Sequence, residues 1–300
     1  YKISPLHIVF ETVREEAEKL GVMVTGSELV GMTPLQPMID AGRFYLEKQG
    51  RSTGAPEAEL VEMAVRSLGL DQLAPFDPDK KIIEYQFRAR GRLASMALDR
   101  FVDEVSSDSP APGGGSVAAL AGSLAAALSA MVANLTVGKH QYAAVWKEMS
   151  ALAERAQQVK AALVRAVDED ADAFNEVMAA MRLPKTTPEE QAARADAIED
   201  GYRQAARVPL GTARLCLEAI KLAGEVARKG NVNSASDAGV AALVGRAGVE
   251  GAVLNVLTNL GSVRDEAFKK DCLKTAESIV AEASRRCGEI IAHVKGTFQG

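Results

Sequence analysis

From residue 96 onward, apolar residues recur every three or four positions, the period of an α-helix. The pattern predicts helices over residues 97–106, 116–136, 141–181, 188–228, 236–260 and 264–295, and no convincing strand. Breaks fall at Leu183-Pro184-Lys185 and Lys229-Gly230-Asn231. Long helices joined by short connections predict a mostly α, multihelical bundle. Residues 1–88 are mixed. Helical spacing covers 7–20, with Val9, Val13, Ala17 and Leu20 on one side and Gly21 closing it. Pro34 opens a second helix, and 57–68 form a third that ends at Gly69. Residues 22–30 are rich in β-formers, and 81–87, KIIEYQF, alternate like a short strand. This is a partial α/β (α+β) unit with too few strands to close a sheet. Residues 88–95, RARGRLAS, read as a basic, glycine-containing joint. The expected organisation is therefore 1–88, a linker over 89–95, and a helical domain over 96–300. The chain starts at Tyr1, which reads as a piece of a longer polypeptide.

One stretch departs from amphipathic spacing. Between Ser109 and Gly138 there is no charged residue. Pro112 and the glycines Gly113, Gly114 and Gly115 lead into it, and Ser116 is the expected N-cap. Gly122, Ser123, Ala126, Ser129 and Ala130 are small enough for neighbouring backbones to approach. A glycine turn feeding a helix N-terminus can bind a carboxylate or phosphate, although no Walker Gly-Lys-Ser/Thr follows. About 20 uncharged residues also meet the length of a membrane span. Their Ala, Ser and Gly content makes a buried central helix the better reading.

A second departure lies in 159–181. Leu163, Val167, Phe174, Val177 and Met181 form an apolar seam whose missing position is Asp170. An acid on a seam needs a partner, a raised pKa or a cavity, because burying a bare carboxylate is costly. It is either functional, a structural acid holding a neighbouring helix, or exposed by local rotation. Asp168 and Asp172 fall about 200° away and read as a solvated pair. In 229–237, KGNVNSASD, Ser234 and Asp237 have capping-box-like spacing, and Asn231 and Asn233 suit a turn. Gly248, Ala252, Asn255 and Asn259 share one helix face, and the two amides need backbone partners or a donor-and-acceptor-rich ligand. Lys139, His140, Lys185 and Lys229 flank these elements, while His7 and His293 receive no role.

Composition narrows the choices. The net charge of -5 argues against nucleic acid as a partner, without excluding a small anion held by local lysines. Aromatics make up only 5%, so the core is aliphatic and Ala-rich. Cys216, Cys272 and Cys287 have no metal-like spacing and read as free thiols in a reducing, cytoplasmic compartment.

These blocks resemble a known family. Residues 97–138 are similar to the opening of the cyclodeaminase domain of bifunctional formimidoyltransferase-cyclodeaminases. VDEDADAFNEVM (167–178), RLPKTTPEEQAAR (182–194), GNVNSASDAGVAA (230–242) and LNVLTNL (254–260) continue the resemblance in order. SPLHIVFETVREEA, VTGSELVGMTPL and LGLDQLAPFDPDKKIIEY resemble the end of the transferase domain. The resemblance implies a dimeric helical bundle, in larger rings for the full enzyme. It implies conversion of 5-formimidoyltetrahydrofolate to 5,10-methenyltetrahydrofolate and ammonia, in histidine degradation. The folate is the substrate, expected to be polyglutamylated, and no metal or membrane span is expected. The family's catalytic acid, the second aspartate of VDxDA, falls on Asp170. Asn134, Asp237, Asn255 and Asn259 are candidates to orient the pterin or amidine. Gly113, Gly114, Gly115 and Ser116 are candidates for a pocket wall or anion-binding turn, and Lys139 and Lys185 for the glutamate tail. The front of the transferase domain, with its histidine, is missing, and His7 is not that residue, so no formimidoyl transfer is expected of this chain itself, though it is of its parent. The alternatives are methenyltetrahydrofolate cyclohydrolase activity and a non-catalytic helical oligomerisation module.

Overall fold

The computed structural model describes residues 3–87 and 91–298. Packing divides the chain into two compact units, Tyr1–Ala89 with Thr136–Glu154, and Arg90–Leu135 with Arg155–Gly300. Residues 136–154 thus pack with the first unit, unlike the single cut near residue 95 expected from composition.

The first unit is helical. Proline at or before the first turn starts α1 (Leu6–Lys19), α2 (Leu35–Lys48) and α3 (Glu57–Leu68), where the missing N–H costs nothing. Gly69, at φ 62, ends α3 in the left-handed conformation. The core gathers Met38, Leu46, Leu60, Ala64 and Ile82, all nearly or fully inaccessible. On α1 the buried residues are His7 and Phe10, while Val9 and Val13 stay half-exposed. His7 stacks on Phe44 at 4.6 Å, and burying an aromatic pair outweighs the valine face that periodicity favoured.

The expected strands do not form. Among the described residues there is no strand, only one parallel bridge between Thr33 and Ile82. Residues 22–30 are irregular, with Val22, Met23 and Val30 exposed. Residues 78–87 fold into two short helices, α4 (Pro78–Lys81) and α5 (Ile83–Phe87). The reason is local: the Asp77 carboxylate accepts the Asp79 amide at 3.1 Å and Pro78 occupies N1, both helix-start signals. Seven alternating residues with no neighbouring strand have no ladder to join.

The second unit is the bundle that sequence periodicity predicted. It contains α6 (Leu98–Val105), α7 (Gly114–Asn134), most of α8 (Trp146–Met181), α9 (Pro188–Lys229), α10 (Ala235–Leu260) and α11 (Glu266–Gly296). α10 packs on α7, α9 and α11. Small residues let the backbones close. A Cβ on Gly122 would sit 2.3 Å from Cys216 Sγ, and one on Gly248 3.0 Å from the Ala118 carbonyl. α7 and Val232–Leu260 are each long and apolar enough to cross a membrane by length and composition, yet 61% of the α7 window is buried within the fold. The three cysteines are buried and unpaired, and burial pushes the Cys216 thiol up to about 12, so it packs as an inert apolar group.

Two expected caps differ. Ser116 is not the N-cap of α7, because the helix begins at Gly114 with Gly113 in the capping position. Ser234 is the N-cap of α10 but its side chain makes no capping bond, so the expected box with Asp237 is absent. The fully formed box lies at α9, where Thr187 and Glu190 cap each other reciprocally.

Candidate active site

α7 starts at a residue that cannot cap it. Gly113 has no side chain, so the first-turn amides need an acceptor from elsewhere. Asp170 of α8 supplies it. Its carboxylate accepts from the backbone amide and the hydroxyl of Ser116, with the hydroxyl 3.3 Å from Oδ2. The Ser116 hydroxyl also lies 2.8 Å from the Val167 carbonyl. Burial pushes the Asp170 carboxyl above the ordinary aspartate range, and the two Ser116 donors pull it only part of the way back. Gly115 lets the carboxylate come this close. A Cβ there would fall 2.0 Å from Asp170 Oδ1.

Asp170 opens onto a cavity of about 420 Å³, a size suited to a small organic ligand. Gly113 and Gly114 form one edge, Phe174, Met178 and Tyr202 an apolar and aromatic wall, and Asn255, Thr258 and Asn259 a polar one. Among the described residues no Lys, Arg or His lines it. A carboxylate and amide oxygens in this cleft favour the neutral or cationic, donor-bearing part of a ligand.

The two amides are fixed by backbone. Asn255 Nδ2 donates to the Gly251 carbonyl at 2.9 Å. Asn259 Nδ2 donates to the Ala205 carbonyl at 2.7 Å. That carbonyl is available because Pro209, four residues on, has no N–H to give it. Pro209 thus opens an acceptor inside α9, and Asn259 closes it. Each amide spends an N–H on a carbonyl and keeps its oxygen free to accept.

Asp168 is not the solvated residue that helix geometry suggested. Its two oxygens accept from the Leu93 amide at 2.7 Å and the Ala94 amide at 3.1 Å. They anchor a turn in residues 91–95, where Leu93 is buried. Of the expected linker over 89–95, Ala89 and Arg90 lie outside the described residues, and so does Arg88 at the head of the joint. Asp172 is exposed, as expected.

The structure brings Gly113, Gly114, Gly115, Ser116, Asp170, Asn255 and Asn259 together. The Ser116 amide is already taken by Asp170, so this turn does not present it to a ligand anion. Gly115 and Ser116 meet Asp170 without lining the cavity, and four other expected residues are not among those lining it either. Asn134 is the last residue of α7, about 30 Å along the helix from Gly114 by helical rise. Asp237 sits in the first turn of α10, about 27 Å from Asn255 by the same measure. Lys185 is exposed in the α8–α9 connection, and Lys139 belongs to the first unit. Sequence reasoning missed Tyr202, Met178, Thr258 and Ser262. Thr258 and Ser262 continue the Asn255–Asn259 face by one helical step, so extending that stripe would have found them.

Comparison with known proteins divides the chain by sequence near residue 90, with residues 136–154 on the side of the second match. The family model described as Formiminotransferase-cyclodeaminase matches residues 97–278, and the Formiminotransferase domain model matches residues 1–88. The formimidoyltransferase-cyclodeaminase of Mus musculus is 39% identical over 298 residues, 98% of this chain and 55% of that protein. The chain therefore spans about half the length of such relatives. A methenyltetrahydrofolate cyclohydrolase of Methylorubrum extorquens is 42% identical over 198 residues, 66% of this chain and 95% of that protein. The solved formiminotetrahydrofolate cyclodeaminase of Thermotoga maritima matches with a TM-score of 0.62 at 30% identity, over 68% of this chain and 98% of that one. The chain belongs to the formiminotransferase-cyclodeaminase family, with residues 1–88 matching the C-terminal part of the transferase domain and a cyclodeaminase domain following it.

Proposed function

We propose that the chain converts 5-formimidoyltetrahydrofolate to 5,10-methenyltetrahydrofolate and ammonia, with Asp170 as the catalytic acid and base, in histidine degradation. The observation that carries this reading is a half-buried carboxyl with a raised pKa at the head of a cavity walled by aromatic and amide side chains. The formimidoyl group on N5 enters as the protonated amidine, and N10 of the folate attacks its carbon, forming the N10–C bond while the C=N bond becomes single. Asp170 takes the N10 proton. The tetrahedral carbon then bears N5, N10, an amino group and hydrogen. Asp170 returns its proton to the amino group, the C–N bond breaks, ammonia leaves, and the methenyl cation remains. A carboxyl whose pKa sits above the ordinary range is suited to both transfers. Phe174, Met178 and Tyr202 would hold the pterin ring. The free oxygens of Asn255 and Asn259 would accept from its N–H groups or from the amidine.

The folate enters as substrate, and a polyglutamate tail would extend out of the cleft. Among the described residues no cluster of His, Cys, Asp and Glu is placed to hold a metal ion. We place the enzyme in the cytoplasm as a homodimer or larger ring. Support for self-association comes from α10, where Val240, Leu243, Ala247, Leu254 and Leu257 fall on one outward seam at steps of three, four, seven and three, Glu250 occupying the position between Ala247 and Leu254. Leu254 is 65% exposed.

The similarity to a cyclohydrolase favours a second reading, in which water adds to the methenyl carbon and formyl-folate is released. Incubation with 5-formimidoyltetrahydrofolate separates the two. The cyclodeaminase forms methenyl-folate and one equivalent of ammonia above the uncatalysed rate, and Asp170→Asn returns to background. Absence of ammonia, with hydrolysis of added methenyl-folate, would establish the second reading instead.

A further inference from the structure

Ser116 is fully buried, and its single hydroxyl faces two acceptors, the Val167 carbonyl at 2.8 Å and Asp170 Oδ2 at 3.3 Å. One proton cannot serve both fully, and a hydroxyl can also accept. We propose that Ser116 is a positioning residue that matches Asp170 in both of its charge states by turning its hydroxyl between these two partners. When Asp170 is ionised, the hydroxyl donates to Oδ2 beside the donating Ser116 amide. When Asp170 carries a proton, the carboxyl O–H donates to Ser116 Oγ, and the hydroxyl donates to the Val167 carbonyl. The carboxyl therefore keeps its place through both proton transfers, with no side chain moving. The inference rests on the cyclodeaminase reading, because only a group that changes charge during turnover needs such a partner.

The surroundings leave this task to Ser116. α7 brings no charged residue to the site. α9 brings Tyr202, and α10 brings Asn255, Thr258 and Asn259, none of them charged. On α8 itself, Asp168 is tied to the Leu93 and Ala94 amides and Asp172 is exposed. Among the described residues the Asp170 titration is set by burial against the two Ser116 donors.

The test compares the chain with Ser116→Ala and Ser116→Thr. Two quantities are read: the acid limb of the kcat–pH profile, and the titration of the Asp170 carboxyl by carboxyl-carbon NMR, assigned by its loss in Asp170→Asn. Removing the hydroxyl takes a charge-assisted donor from the carboxylate and a weaker, neutral acceptor from the protonated acid, so the carboxyl titration moves to higher pH by the difference. The expected displacement is about one pH unit, the excess of a charge-assisted hydrogen bond over a neutral one. The acid limb moves with it, and Ser116→Thr, which keeps the hydroxyl, returns both. A titration unmoved in a folded Ser116→Ala variant overturns the proposal, as does a lower kcat with an unshifted limb. A titration that moves in a chain forming no methenyl-folate overturns the cyclodeaminase reading and leaves the Ser116–Asp170 pairing intact.

Discussion

Gly115→Ala is the sharpest perturbation of the site, because it adds one carbon and touches one functional group. The added Cβ would lie 2.0 Å from Asp170 Oδ1, 2.4 Å from Cγ and 2.6 Å from Oδ2. Ordinary contact begins at 3.4 Å, so the carboxylate must retreat by about 1.4 Å. It can do so, since it ends a rotatable side chain while the helix backbone at Gly115 is held. An off-rotamer Asp170 costs about 0.5–1.5 kcal/mol, against roughly 0.5–1 kcal/mol gained by replacing glycine with alanine in a helix. These two contributions cancel to within about 1 kcal/mol, and breaking the Ser116 hydrogen bond to the retreating carboxylate costs about 1.5–3 kcal/mol more. Catalysis does not share this cancellation, because a displacement of about 1 Å in a reacting group costs on the order of 10²-fold. The assay is the initial rate of methenyl-folate absorbance, with the uncatalysed rate subtracted. kcat should fall about 10²-fold with KM nearly unchanged, since the lining residues Gly114, Asn255 and Asn259 are untouched. Gly211→Ala in α9 is the control, because a Cβ there meets nothing within 4 Å. It should raise the melting temperature slightly and leave kcat alone. A folded Gly115→Ala enzyme with kcat within about threefold of wild type would refute the claim that Asp170 must sit where it does.

Three further outcomes follow from the same geometry. Asp170→Asn should abolish turnover and become more stable relative to wild type as pH rises from the ordinary aspartate range. The folded carboxyl titrates above its unfolded value, so wild type binds more protons folded than unfolded and loses stability as pH climbs through that window, a loss that thermal melts of the asparagine variant should lack. Asp168→Ala should cost about 1.5–3 kcal/mol in denaturant melts, because the Leu93 and Ala94 amides lose a charged acceptor, and Asp168→Asn should recover part of it. Leu254→Glu places a charge on the outward seam of α10, and sedimentation should show a smaller species with an unchanged circular dichroism spectrum.

The long helices were legible in the chain because their period is local. α3 falls on its expected bounds and α10 within one residue of them. Asp170 was legible for the same reason, as the polar interruption of an otherwise apolar seam. Asp168 was not, although it stands only two positions away. Helix geometry correctly turned it from that seam, but no periodicity could reveal that the 91–95 turn would meet it there. The strand expected over 81–87 failed for a related reason. Alternation shows that a segment could pair, while Asp77 and Pro78 decide that it coils before a partner is found.

Several local oddities of the second unit resolve into one arrangement. Gly113 opens a helix without a capping side chain, Asp170 interrupts a hydrophobic seam, and Pro209 interrupts a long helix. Taken singly, each weakens its own element. Asp170 caps the helix that Gly113 leaves bare, and Asn259 closes the carbonyl that Pro209 leaves open. Each repair crosses from one helix to another, and each pins a polar side chain at the rim of the same cavity. A stronger local choice would release those side chains: a serine at position 113 would cap α7 itself and compete with Asp170 for the Ser116 amide. An alanine at position 209 would give the Ala205 carbonyl its helical partner and free Asn259 to rotate. Local weakness at positions 113 and 209 is thus what obliges Asp170 and Asn259 to stay in place.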